Sequence, residues 1–184
     1  GTWLLTIFSY VDIEPEHITG AVISCVIPSV DMVLTSMCRR FFDCEPLHIM
    51  PGVKTGMRIN YGRSGDLGPD RLASIVALKE LYDKPCMVVD FGTTTSFDVI
   101  DENGVYIGGV VSPGVSLSLA SLSSAAPQLP EVGLEKPKNI LGKNIVHSMQ
   151  AGCYFGAVDM ITGLINRLWK SADVENGMCI ATGG

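Results

Sequence analysis

Positive charge, long apolar runs and paired cysteines are what this chain has least of. Of its 184 residues only 13 are Lys or Arg, against 19 Asp or Glu, and Arg39-Arg40 is the one basic pair. The resulting net charge of −6 excludes an extended nucleic-acid surface, which needs clustered cations to displace counterions from phosphate. Residues 20–30 form one of the longest apolar stretches, broken by Ser24, Pro28 and Ser29, and fall short of the ~20 residues that cross a bilayer. Neither nucleic acid nor a membrane is therefore an expected partner. Six cysteines, at positions 25, 38, 44, 86, 153 and 179, include no C-x-x-C pair. Reduced thiols packed as small hydrophobes are expected, not a disulfide or zinc framework. No stretch reads as a secretory signal and no N-x-[ST] sequon occurs, so a cytoplasmic location is expected.

Familiar catalytic signatures are missing too. Gly142-Lys143 is followed by Asn144 and lacks the upstream glycine of a P-loop, and there is neither a G-x-G-x-x-G fingerprint nor a G-x-S-x-G elbow. His17, His48 and His147 have no Cys or acidic partner at ligand spacing, which favours surface or packing roles.

What is present is 47% apolar residues, enough for a substantial core, arranged in periods that switch between strand and helix. Residues 18–27 read as a β-branched strand ended by Pro28, and residues 29–42 as a helix. Residues 57–61 alternate weakly, residues 62–68 form a loop with three glycines, and Pro69 opens a helix through Tyr82. Residues 86–89, 94–100 and 105–111 then form a three-stranded meander, its second turn marked by Asn103-Gly104. A Ser/Ala/Leu helix over 114–126, a loop over 128–139, a long helix over 147–169 and a last strand over 178–181 complete an α/β pattern of mixed strand direction.

Two local motifs could carry chemistry. Asp90-Phe91-Gly92-Thr93-Thr94-Thr95 places a carboxylate, a permissive glycine and hydroxyls at a hairpin tip. Gly92 lets backbone approach an anion, threonine hydroxyls and amides can donate to it, and Asp90 can hold a cation that neutralises it. The same string also suits a plain hairpin turn with β-forming threonines, and local pattern leaves both open. Gly68-Pro69-Asp70-Arg71 sets a carboxylate beside a guanidinium at a helix start, where free amides favour anions; ordinary capping accounts for it equally well. Thr182-Gly183-Gly184 reads as a strand-ending turn or as backbone passing close to a nucleotide.

Taken in order, these strings resemble a type III pantothenate kinase, of the acetate and sugar kinase, heat-shock protein and actin superfamily. The similar pieces are Ala21-Val22-Ile23-Ser24-Cys25-Val26-Ile27-Pro28, Thr55-Gly56, Tyr61 ahead of Gly68-Pro69-Asp70-Arg71-Leu72-Ala73, and Asp90-Phe91-Gly92-Thr93. They continue through Gly108-Gly109-Val110-Val111-Ser112-Pro113-Gly114, Leu129-Pro130-Glu131-Val132, Gly142-Lys143-Asn144, Ser148-Met149-Gln150-Ala151-Gly152 and Ala181-Thr182-Gly183-Gly184. The resemblance implies an α/β fold of two ribonuclease H-like lobes, mixed sheets flanked by helices, over residues 1–84 and 85–184. It implies ATP-dependent phosphorylation of pantothenate, the first step toward coenzyme A, by a homodimer. Asp70 would be the general base, and Tyr61, Gly68, Pro69, Arg71 and the residue at Ile145 would hold pantothenate. Asp90 would hold a monovalent cation, potassium or ammonium, and Thr93, Gly183 and Gly184 would contact ATP, which carries magnesium.

Departures from the family pattern qualify the expectation. No Asp-x-Gly-Asn-Thr loop occurs near the start, the chain opens at Gly1-Thr2-Trp3 without Met, and the closing helices of the family have no counterpart. The chain is thus expected to be a piece of a longer protein, weak in turnover and prone to self-associate by itself. Ile145 stands where the family usually has Thr, which removes a hydroxyl from the substrate pocket, and Arg63-Ser64-Gly65-Asp66 replaces a common Asn-Pro. A non-catalytic homologue with a regulatory role, or a related phosphotransferase with another acceptor, are the alternatives these departures leave.

Overall fold

The computed structural model describes residues 2–50 and 52–184, which divide into two compact units. The first holds residues up to 56 and 62–76, the second residues 57–61 and 77–184, so that the boundary falls inside one helix.

In the first unit, helix α1 spans Thr2–Tyr10, strand β1 Val22–Ile23, helix α2 Pro28–Phe41 and strand β2 Leu47–His48. β1 and β2 pair in parallel, Val22 with Leu47 and Ile23 with His48. The strand expected over 18–27 therefore shrinks to two residues. A strand exists only where a partner completes its ladder, and Leu47–His48 offers two positions. Helix α2 starts at a proline, carries Asp31 in its first turn and Arg39 and Arg40 in its last, the order that the helix dipole favours. His48 has an acidic partner after all, brought from another element. Its Nδ1 lies 3.0 Å from Asp31 Oδ1 and its Nε2 3.3 Å from Thr35 Oγ1, which ties β2 to α2.

The second unit is built on a five-stranded sheet. Strand β3 spans Arg58–Ile59; helix α3, Pro69–Leu81, crosses the unit boundary; and strands β4 Cys86–Phe91, β5 Thr94–Ile100 and β6 Val105–Pro113 follow. Helices α4, Val115–Ala125, and α5, Ile145–Ser171, precede strand β7, Met178–Gly183. The order across the sheet is β3-β6-β5-β4-β7. β4, β5 and β6 form the antiparallel meander expected from the sequence, while β3 and β7 add in parallel at the two edges. The Asn103-Gly104 turn is fixed by Asp101, whose Oδ1 accepts from the Asn103 and Val105 amides at 2.9 and 2.8 Å, and by Gly104 at φ 72°. Only glycine enters that left-handed region without strain.

Alternation along β4 and β5 sends Met87, Val89, Phe97 and Val99 to one face, where Ile161, Leu164, Ile165, Leu168 and Trp169 of α5 cover them. Each fully buried side chain of this size contributes about 1.5–3 kcal/mol. All six cysteines are free thiols, as their spacing suggested, and no helix among the described residues is long and apolar enough to cross a membrane.

Candidate functional site

Asp90 is the last residue but one of β4, on the sheet face opposite α5, with Ser96 of β5 and Thr182 of β7 as its register partners. Two residues, Gly92 and Thr93, turn the chain from β4 into β5, and the Gly92 amide donates to the Thr94 carbonyl at 3.0 Å. The motif thus occupies a two-residue hairpin tip, and both Gly92 and Thr93 are exposed there.

Two glycines far away in sequence close on this tip. The Gly114 amide donates to the Thr93 carbonyl at 2.9 Å, and a Cβ on Gly114 would run into the Gly92 and Thr93 carbonyl oxygens. Gly183, at φ 95°, presses on the other side: a Cβ there would collide with the Phe91 carbonyl and lie 2.6 Å from Asp90 Oδ1. The Gly184 amide donates to the Phe91 carbonyl at 3.0 Å. Asp90, Thr93, Gly183 and Gly184 therefore converge on one corner. In the sequence Gly114 is only the end of the 108–114 piece and the first residue of the helix expected over 114–126, with no site role.

Beside the corner lies a cavity of about 620 Å³, lined by Gly92, Thr93, Thr95 and Gly184 and by Val115 and Ser116 in the first turn of α4. Its size suits a nucleotide-sized ligand. The first amides of a helix have no partner within it and favour an anion. Thr95 is fully buried, and its hydroxyl has no hydrogen-bond partner among the described residues although it borders this cavity. A buried hydroxyl without a partner costs about 1–3 kcal/mol, which a ligand oxygen reaching it would recover. No Lys or Arg lines the cavity among the described residues. Neutralising a phosphate chain would then fall to amide dipoles and a cation, and the Asp90 carboxylate is a hard oxygen donor of the type such cations take.

The second motif lies in the first unit. Residues 62–68 form a loop with one short 3-10 turn at Ser64–Asp66, and Leu67 at its end is buried. Pro69 and Asp70 open α3, whose Leu72 and Ile75 are buried as well. The Asp70 side chain folds back over the loop, since a Cβ on Gly68 would lie 2.5 Å from Asp70 Oδ1. Asp70 itself is exposed and Arg71 half-buried. Glycine at 68 thus keeps the ground beneath the carboxylate clear.

Tyr61 lies two residues beyond β3, three strand spacings from β4 and so roughly 14 Å across the sheet from the Asp90 corner. Its ring packs on Tyr106 of β6, with centroids 5.7 Å apart. Ile145 is the first residue of α5, half exposed, behind Asn144, whose Oδ1 accepts from the His147 amide at 2.9 Å. Among the described residues, no group of three or more His, Cys, Asp or Glu side chains is placed to hold a metal ion together. Any cation at the corner would therefore draw on Asp90 together with backbone, hydroxyl or ligand oxygens.

The family model for type III pantothenate kinase matches residues 1–167. The type III pantothenate kinase of Koribacter versatilis is 39% identical over all of this chain and 67% of that protein. That of Listeria monocytogenes strain EGD-e is 40% identical, again over the whole chain and 71% of its own length. Among solved structures, a chain from Campylobacter jejuni assigned to a Baf family of transcriptional activators superposes with a TM-score of 0.52 at 18% identity, over 86% of this chain and 68% of that one. That last likeness is one of fold alone.

Proposed function

Because the chain belongs to the type III pantothenate kinase family, we propose that it transfers the γ-phosphoryl group of ATP to the primary hydroxyl of pantothenate, the first step toward coenzyme A. The observation that carries this reading is the corner where Asp90, Thr93, Gly183 and Gly184 meet beside a cavity with a helix start and a partnerless buried hydroxyl. Phosphoryl transfer asks a protein chiefly for positioning and charge neutralisation, and this corner offers donors without bulk.

In this reading Thr93, Gly183 and Gly184 contact ATP, and Asp90 holds a potassium or ammonium ion. Held there by Asp90, such a cation would offset charge on the phosphates, and magnesium would enter with ATP. Asp70 accepts the proton of the pantothenate hydroxyl as its oxygen attacks phosphorus. Gly68, with no side chain, leaves room for that carboxylate, and Pro69, Arg71, Tyr61 and the side chain at 145 are the pantothenate contacts that the family resemblance implies. The family resemblance implies two ribonuclease H-like lobes of the actin-like superfamily, over residues 1–84 and 85–184. The working protein is a cytoplasmic homodimer.

Pantothenate-dependent ATP turnover, with the phosphorylated product identified by mass, tests the reading. Turnover with pantothenate well above that with other primary alcohols is expected. Equal turnover with unrelated alcohols would point to a different acceptor. Ile145 favours a second reading, a homologue that binds without turnover, because an apolar group replaces a hydroxyl. Calorimetry with pantothenate separates the two, since binding without product marks the second.

A further inference from the structure

Positive charge is scarce in this chain, yet three of its lysines meet at one place that the reaction described above does not use. Lys136, Lys138 and Lys143 line a cavity of about 430 Å³ together with His147 of α5, and Glu135 is the one acid on its wall. Among the described residues none of the three lysines forms an ion pair. Like charges gathered around one cavity raise one another's energy, and an anion placed among them turns that repulsion into attraction.

The segment that carries these lysines has neither helix nor strand, but both of its ends are fastened to α5. At one end the buried Gln150 donates from Nε2 to the Gly133 carbonyl at 3.1 Å. At the other the Asn144 side chain caps the helix, its Oδ1 accepting from the His147 amide. Between these ties Gly142 lies flat on the first turn of α5, where a Cβ would come within 2.5 Å of both the amide nitrogen and Oγ of Ser148. Only a residue without a side chain lets the strap approach so closely, and Lys143 follows directly. The lysines are thus held at the positive end of a 27-residue helix, whose dipole adds to their charge. All of these residues belong to the second unit, and the cavity shares no lining residue with the nucleotide-sized one at the Asp90 corner.

We propose that this cavity is a second anion site, which takes the phosphate dianion, either free or as the head of a phosphate monoester. Three ammonium groups outweigh a single carboxylate, and a doubly charged group offsets them better. Lysine binds phosphate as a point charge and needs no fixed fork geometry, which suits a strap whose side chains reach in from solvent. The site does not rest on the kinase reading, since none of its residues takes part in the transfer.

Amide spectra of the isotope-labelled chain test this, with inorganic phosphate added at a pH where it is doubly charged and chloride as the control at matched ionic strength. Saturable shifts are expected over residues 136–147. In the triple variant Lys136→Gln, Lys138→Gln, Lys143→Gln the midpoint is expected to rise at least about tenfold, the scale of one hydrogen bond to a charged group. The three side chains are exposed, so their removal leaves the core untouched. Arginine at the same three positions keeps the charge and is expected to hold the midpoint within about threefold. Glycerol phosphate distinguishes the sources: a lower midpoint than with inorganic phosphate assigns the site to esters, and an equal one to the free ion. Shifts that never saturate, that chloride reproduces, or that appear only at the Gly92-Thr93 turn and Gly184 overturn the proposal. An unmoved midpoint in the glutamine variant does so as well.

Discussion

Asp90 and Asp70 rest on supports of opposite kinds. Asp90 lies one residue from the end of a six-residue strand paired on both sides, and backbone from Gly114 and Gly183 closes on the turn beyond it from two directions. Asp70 starts a helix behind a seven-residue glycine loop in a unit whose own sheet has two strands of two residues each. A charge-neutralising corner must hold oxygens to within tenths of an ångström, which a paired sheet does well. A base that meets a substrate arriving from solvent profits from an exposed place on a helix start. On the proposed reading, the contrast separates a rigid phosphate corner from a more accessible base.

The largest effect expected from this contrast concerns the base. Asp70→Asn should lower kcat by at least ~10²-fold while thermal unfolding stays close to that of the unmodified chain, since the residue is exposed. Near-normal turnover would remove Asp70 from the role. At the corner the reverse pattern is expected. Gly114→Ala places a methyl group against the Gly92 and Thr93 carbonyls and should cost about 2–3 kcal/mol of stability, visible as an earlier denaturant midpoint. An unchanged midpoint would show that the corner yields easily.

Asp90→Asn probes the corner's charge without its backbone. Activity of the unmodified chain should rise when potassium or ammonium replaces sodium, and the variant should lose that dependence. Identical rates in all three salts would contradict the cation role. Ile145→Thr should tighten pantothenate binding about fivefold by calorimetry, one added hydrogen bond contributing ~1 kcal/mol. No change would place position 145 outside the substrate's reach.

The smallest effect lies in the first unit. Arg39 donates to both Glu45 oxygens at 2.7 Å, and these hydrogen bonds hold the Glu45 carboxyl below its usual range. A carboxyl lowered in the folded state stabilises above its unfolded pKa and ceases to do so as pH falls through the lowered value. Glu45→Gln should therefore melt slightly earlier at neutral pH, with the gap closing in acid below the ordinary carboxylate range. Both groups are exposed to solvent, which keeps the gap small.

How much the sequence revealed follows the same division. β5 was legible residue for residue, and β4, β6, α4 and α5 to within a few residues at their ends, because their signals are local: alternation, an Asn-Gly turn, a proline stop. β2 escaped notice and β1 was overextended, since each owes its existence to a partner outside its own sequence window. Asp90 and Thr93 announced themselves as a turn. The approach of Gly114 and Gly183 to that turn did not, because a close contact between distant segments leaves only a glycine as its trace.

The strand that seals the corner, β7, is also the outermost strand of its sheet among the described residues. Edges fray first, and here fraying lifts Thr182 and Gly183 away from Asp90 and Phe91. Any ligand that needs the corner intact binds the closed edge and not the open one, and so opposes the fraying in proportion to RT ln(1 + [L]/Kd). Nucleotide occupancy thus becomes readable without catalysis, as slower exchange of the β7 amides with solvent deuterium. On the proposed reading, the edge of the sheet is then a gauge of whether the corner is filled.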